Sequence, residues 1–162
     1  MARWVHCARQ AETDMTDTST LGDLLDQHAQ RLGLSGVEST LARDTLLDIG
    51  APGTYTGSVV GHMNLIRPNQ LQVLGKAELD YLAGQPIDAA ELLIEHLLAC
   101  RPVALIVADD LQIPRGLIDA CQQAGASLLR ASAPSEQVVQ ELLYYLSRSA
   151  ARRASIHGVF IE

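Results

Sequence analysis

The stretch "PVALIVADD", residues 102–110, decides the fold. Pro102 breaks what precedes it, and Val103 to Ala108 then run apolar without alternation before two acids. An apolar run of that length, rich in β-branched residues and bounded by turn formers, predicts a strand covered on both faces, as in the interior of a parallel sheet.

The pattern continues outward from this strand. Pro114 is placed to open a helix on which Leu117, Ile118, Cys121 and Ala124 share a face, with Gly125 closing it. "SLLR" (127–130) reads as a short strand, and Pro134 opens a last helix with Val138, Val139, Leu142, Leu143 and Leu146 on its buried side. Strand, helix, strand, helix and a closing strand from about Ala154 imply βαβ units and a mostly parallel sheet. On the amino-terminal side, "QLQVLG" (70–75) alternates as a strand, and "KAELDYLAG" is a short helix closed by Gly84. Asp88 and Glu91 resemble a capping box ahead of Leu93, Ile94, Leu97 and Leu98. Thr20 caps a helix to Leu32, with Gly33 ending it. "TLLDI" (45–49) is a candidate short strand in a poorly patterned region from Ser35 to Gly61. The expected fold class is α/β, a small mixed or mostly parallel sheet flanked by helices.

Length and composition fit one domain. A chain of this size, 162 residues, buries roughly 70% of its unfolded surface. The hydrophobic share of 48% and charged share of 19% are those of a globular protein. Aromatics at 4% leave Leu, Ile, Val and Ala to make the core. A net charge of −7 argues against general affinity for nucleic acid or anionic lipid. Cys7, Cys100 and Cys121 are odd in number and lack CxxC spacing, which disfavours a disulfide framework or a structural zinc site. Residues 1–19 hold no sustained period and no apolar signal segment, so they read as a flexible lead-in with Met15 as an alternative start. Nothing approaches a membrane-span length of apolar residues, and the cytoplasm is the expected location.

Several clusters have the right residue types for chemistry. Asp109 and Asp110 follow the carboxyl end of the central strand, where open α/β sheets bind ligands. They read either as a metal-holding pair or as a solvated loop that caps the next helix, and loop composition favours the loop. Gly50, Gly53 and Gly57 would let backbone amides approach a phosphate, but their spacing fits neither GxGxxG nor GxxxxGK(S/T), and turn glycines explain them. Gly75-Lys76 lacks the remainder of a phosphate loop. His62, Asn64, Arg67 and Asn69 would converge on an anion or make surface hydrogen bonds. His6, His28 and His96 have no second metal ligand at useful spacing. Ser58, Ser132 and Ser155 stand outside any GxSxG context. Cys100 and Cys121 fall on apolar helix faces and read as small buried hydrophobes. In "RASIHGVFIE" (153–162), His157 sits within an otherwise apolar strand pattern; it must be hydrogen-bonded or neutral, which suits a structural histidine or proton chemistry.

Two blocks carry a resemblance. "VVGHMNLIRPNQLQVLGKAELDYL" (59–82) and "PVALIVADDLQIPRGLIDACQQAGASLLRASAPSEQVVQELLYYLSRSAARRASIHGVFIE" (102–162) are similar to proteobacterial HPr kinase/phosphorylases, over roughly Leu21 to Glu162. The match is specific in HMNLIRPNQLQVLG and IHGVF and weak between Ser35 and Gly57, and Arg67 and Gln70 depart from close relatives. The resemblance implies an amino-terminal domain shaped like the first domain of the Mur ligases, spanning 20–153, with 154–162 as the first strand of a carboxyl-terminal kinase domain. It implies an enzyme that phosphorylates a serine of the phosphocarrier HPr with ATP or pyrophosphate, and ATP with Mg2+, and that reverses the modification by phosphorolysis. It further implies hexamers held largely by the catalytic domains. Of the family's active-site set (a His, a phosphate-loop Lys, an Asp and a Glu) only the His carries over here, as His157. The 162 residues contain no GxxxxGK(S/T) loop, so the expectation is a regulatory or scaffolding part, inactive alone and without a cofactor of its own. Two other readings stay open: a stand-alone module binding a small anion or nucleotide near Asp109 or the Gly50–Gly57 loop, and a self-associating interaction domain.

Overall fold

The computed structural model describes residues 19–37, 41–49, 59–66 and 69–157, with side chains described as far as Ala151. In chain order the elements are α1 (Leu21–Leu32), β1 (Ser35–Gly36), β2 (Val60–His62), β3 (Leu71–Leu74), α2 (Lys76–Ala83), α3 (Ile87–Ala99), β4 (Ala104–Val107), α4 (Arg115–Ala124), β5 (Ser127–Arg130) and α5 (Ser135–His157). The α/β expectation holds. Five strands form one sheet in the order β1-β5-β4-β3-β2, parallel throughout except for β1, which runs antiparallel to β5.

The run 103–108 is the sheet's centre. Every residue of β4 is buried, as is every residue of β3 beside it, because helices cover both faces. The crossovers β3-α2-α3-β4 and β4-α4-β5 advance in one direction across the sheet, and α2, α3 and α4 pack in one cluster on the same face, as crossovers of one hand require. There Leu74, Leu105, Val107 and Leu128 of the sheet pack with Leu79, Leu82, Leu97, Leu117 and Cys121. The opposite face carries α1 and α5, where Leu71, Val73, Ile106 and Leu129 meet Leu21, Leu24, Leu32, Val138, Leu142 and Leu146.

Local chemistry explains the boundaries. Thr20 and Asp23 form a reciprocal capping box: Asp23 N–H donates to Thr20 Oγ1 (3.1 Å) and Thr20 N–H to Asp23 Oδ2 (2.9 Å). Those bonds hold the Asp23 carboxyl below its ordinary pKa, the backbone of Thr20 contributing most. Gly33 closes α1 at φ +60°, and a Cβ there would overlap the Ser132 hydroxyl. Gly125 closes α4 in the same left-handed geometry.

Four segments differ from the sequence expectation. Residues 45–49 do not join the sheet; only Leu46 bridges, to Thr20. Leu21 N–H donates to Thr45 O (2.9 Å) and Gly22 N–H to Arg43 O (2.8 Å), so the segment satisfies the first orphan donors of α1 while Leu47 and Ile49 fill the core. α3 opens at Ile87 behind Pro86 rather than after a capping Asp88, which instead complements the dipole in the first turn. β2 falls where the sequence showed little pattern. Finally, α5 continues to His157 where a strand was expected from about Ala154. Ala150, Ala151, Arg152, Arg153 and Ala154 are strong helix formers, and a helix satisfies its backbone internally whereas a strand here has no partner among the described residues. Residues 1–18 of the expected lead-in (1–19) and residues 158–162 lie outside the described residues, whereas Ser19 is buried.

Candidate functional site

The carboxyl end of β4 is where this architecture would place a ligand, and the chain there takes an uncommon path. Asp109 and Asp110 both adopt left-handed backbone angles, φ +60° and +51°. Asp and Asn enter that region more readily than other side-chain-bearing residues. The two turns are held by Asp109 N–H donating to Ala133 O (3.0 Å) and Asp110 N–H to Ala131 O (3.1 Å), which ties the β4–α4 loop to the β5–α5 loop.

This path aims the Asp109 carboxylate between two helix amino termini. Its Oδ2 accepts from Lys76 N–H, the first residue of α2, at 3.0 Å. Its Oδ1 accepts from Ser135 N–H, the first residue of α5, at 2.8 Å. Neither helix supplies a capping side chain at this position: α2 is preceded by Gly75 and α5 by Pro134. One carboxylate from the central strand therefore caps both, and meets the positive end of both macrodipoles. Gly75 is required by the close approach, since a Cβ there would stand 2.6 Å from Ser135 Oγ and 2.9 Å from Asp109 Oδ2. Gly75 N–H in turn donates to Glu78 Oε2 (2.9 Å).

The consequence for ligand chemistry is direct. Helix amino termini at the carboxyl end of a parallel sheet attract phosphate, but these two already hold an anion belonging to the protein. The strands also run β2-β3-β4-β5 in sequence order, with no reversal to open a crevice. Asp110 does not join Asp109 in a metal pair; it meets Arg130 (Oδ1 to Nη2, 2.9 Å), which also donates to the Asp110 carbonyl (3.2 Å). No group of three or more His, Cys, Asp or Glu among the described residues is arranged to hold a metal. Residues at this end fit neither a nucleotide phosphate nor its Mg2+.

The second cluster also proves architectural. His62 Nδ1 lies 3.5 Å from Glu78 Oε1, Asn69 Nδ2 donates to the His62 carbonyl (3.1 Å), and Asn64 Oδ1 accepts from Ile66 N–H (2.9 Å). Gln72, fully buried in β3, accepts from Asn64 N–H (3.2 Å), and His96 Nε2 donates to Leu65 O (3.3 Å). These bonds brace the connection between the parallel strands β2 and β3, no described residue of which is helical. Arg67 and the Gly50–Gly57 loop lie outside the described residues, as do His6, Cys7 and Ser58.

The remaining candidates separate cleanly. Cys121 is buried, and burial pushes its thiol up to about 11, which makes it inert at neutral pH. Cys100 is exposed, contrary to the expectation of burial: it follows the last turn of α3, where its Sγ donates to His96 O (3.3 Å). His28 sits edge-on to Tyr145 at 5.0 Å between α1 and α5, with both ring nitrogens buried and unpartnered. Burial holds its pKa below the ordinary value, Glu141 opposing and Arg31 adding to the shift. His157 is the last described residue of α5.

Comparison with known proteins gives one consistent outcome. The family model described as "HPr Serine kinase N terminus" matches residues 20–146. A protein named HPr kinase/phosphorylase from Azoarcus sp. (strain BH72) is 34% identical over 144 residues, 89% of this chain and 45% of its own length. Proteins of the same name from Burkholderia mallei (strain SAVP1) and Burkholderia pseudomallei (strain 1106a) are 34% identical over 154 residues, 90% of this chain and 47% of theirs. The chain spans about half the length of the curated relatives it matches.

Proposed function

The chain belongs to the HPr serine kinase N-terminal family, and from that membership we propose that it is the regulatory or scaffolding part of an HPr serine kinase/phosphorylase. In this reading the whole enzyme phosphorylates HPr on serine with ATP or pyrophosphate, reverses the modification by phosphorolysis, and works as a homo-oligomer. The observation that carries the proposal is the coincidence of two boundaries. The family match ends at residue 146, and Leu146 is the last fully buried residue among the described side chains of α5. That coincidence supports reading the matched residues as one packed unit with a core of its own.

Phosphoryl transfer needs amides and a lysine around the phosphates, with a metal neutralising developing charge. The helix ends best placed for that role are filled by Asp109. His157 is the family's active-site position, and its catalytic partners have no counterpart in these 162 residues. The 162-residue chain is accordingly inactive by itself. Incubating it with HPr and radiolabelled ATP-Mg2+ should leave HPr unlabelled. Joining it through α5 to the catalytic half of the Azoarcus relative should yield labelled HPr. Label transfer by the chain alone, or none by the joined protein, overturns this reading.

A further inference from the structure

We infer that the cavity between the carboxyl-terminal half of α1 and the middle of α5 binds a small oxyanion, a carboxylate or a phosphate, through Arg148 and His28. The inference does not rest on the kinase assignment. The cavity has a volume of about 210 Å³, with Gln27, His28 and Arg31 of α1 on one wall and Tyr145, Arg148 and Ser149 of α5 on the other. Pockets that enclose drug-sized molecules measure roughly 300–1,000 Å³, so this one suits an oxyanion with few other atoms and not a nucleotide.

His28 is the informative member. Both of its ring nitrogens are buried, and neither has a hydrogen-bond partner. An imidazole always carries at least one N–H donor, and leaving that donor unbonded away from water costs free energy. Its neighbours do not relieve this. Tyr145 meets the ring edge-on at 5.0 Å, and the Tyr145 hydroxyl accepts from Gln27 Nε2 (3.3 Å). Glu141, the carboxylate of the cavity wall, is engaged by Arg31 at 2.6 Å. Gln27 and Arg148 are exposed, so their side chains can move aside for a ligand without disturbing the core.

Charge selects the class of ligand. Arg148 lies over the Tyr144 ring, 5.7 Å from its centroid, and makes no ion pair among the described residues. Its guanidinium presents N–H donors in a planar fork that matches the oxygens of a carboxylate or phosphate. Within a chain of net charge −7, residues 142–161 contain three arginines and no acid, so the field along this end of α5 favours an anion. Arg31 and Glu141 offset each other, which leaves the charge of Arg148 and a second charge whenever His28 takes up a proton. The groups around the ring are Arg31 from α1 and Glu141, Tyr144, Tyr145 and Arg148 from α5. Burial holds the free imidazole neutral, with Glu141 opposing and Arg31 adding to that effect. A bound anion favours the charged ring, so binding takes up a proton and strengthens as pH falls.

The test is titration of the full 162-residue chain with sulfate, inorganic phosphate and acetate at constant ionic strength, by calorimetry and through the His28 ring resonances. Sulfate does not titrate between about pH 6 and 8, where a histidine does, so any pH dependence of its binding belongs to the protein. Binding should saturate, and sulfate should bind more tightly at the acid end of that range. The order of phosphate and acetate then separates a phosphorylated ligand from a carboxylate. Arg148→Gln should weaken binding about tenfold or more, and Arg148→Lys should restore part of the loss. His28→Phe should remove the pH dependence while circular dichroism shows an intact fold. Arg115→Gln, on α4, should bind as the unaltered chain does. Heats and shifts that never saturate overturn the inference, as does binding indifferent to Arg148, binding of sulfate without pH dependence, or an equal loss in Arg115→Gln.

Discussion

Replacing Asp109 isolates the contribution of one carboxylate to two helices. In Asp109→Ala, Lys76 and Ser135 N–H both lose their acceptor. Loss of an N-cap costs about 1 kcal/mol, so two caps contribute about 2 kcal/mol. The left-handed backbone at φ +60° adds roughly 1 kcal/mol for alanine, giving a total of about 3 kcal/mol. Asp109→Gly removes the same bonds but not the backbone compatibility, and should cost about 2 kcal/mol. Asp109→Asn keeps the backbone and one acceptor oxygen, and should cost about 1 kcal/mol. At about 2–4 °C per kcal/mol for a chain of this size, the alanine variant should melt roughly 6–12 °C lower. Urea unfolding measures the series, with the slope unchanged if only stability moves. Amide exchange at Lys76 and Ser135 should accelerate more than at the centres of α2 and α5. Asp110→Asn, at an exposed pair with Arg130, serves as the control and should shift stability by no more than about 1 kcal/mol. An Asp109→Ala protein that unfolds at the wild-type midpoint would refute the double-cap argument.

Three further outcomes are expected. Gly33→Ala should lose more than the roughly 1–2 kcal/mol of left-handed geometry alone, because the new methyl overlaps Ser132, and adding Ser132→Gly should recover part of the loss in chemical denaturation. His28 is held neutral by burial, so below its ordinary value of 6.5 the unfolded chain binds more protons than the folded one; stability should fall as pH drops through 6.5 and level off below the lowered folded pKa, and His28→Phe should flatten that slope in pH-dependent melting. A thiol reagent should modify Cys100 in the native protein and Cys121 only on unfolding, read by peptide mass spectrometry, with equal native rates as the contrary result.

The elements legible in the sequence were those whose cause is local. The apolar run 103–108, the 3.6-residue period of α4 and α5, Pro114, Pro134, Gly33 and Gly125 each carry their own signal, and all fell in place. β2 carries little sequence signal because three residues with a glycine in the middle give too little periodicity, and its pairing with β3 is supported by amide and histidine bonds at a distance in sequence. The end of α5 was misread because alternation in "RASIHGVFIE" fits a strand only if a neighbour exists to pair with it. At the candidate site, Asp109 is a helix cap as the loop reading expects, but it serves α2 and α5 and not the next helix, α4. That it caps two helices, one of them 33 residues earlier in the chain at Lys76, required the fold. Gly75 held the available signal: a glycine directly before a helix start leaves room for a cap supplied from elsewhere.

The length of α5 has a mechanical meaning. From Leu146, the last fully buried anchor among its described side chains, the helix runs unbroken to His157, about 16 Å at 1.5 Å per residue. A rod of that kind transmits angle as well as distance. Each residue turns the helix by about 100°, so whatever is joined to this end takes its azimuth from the count of residues after Leu146. Adding one residue there would swing an attached body by more than a quarter turn, whereas adding seven, about two full turns, would nearly restore its bearing and displace it by roughly 10 Å. The amino-terminal core would then act as a fixed bearing whose phase, more than its reach, decides how an attached body is presented.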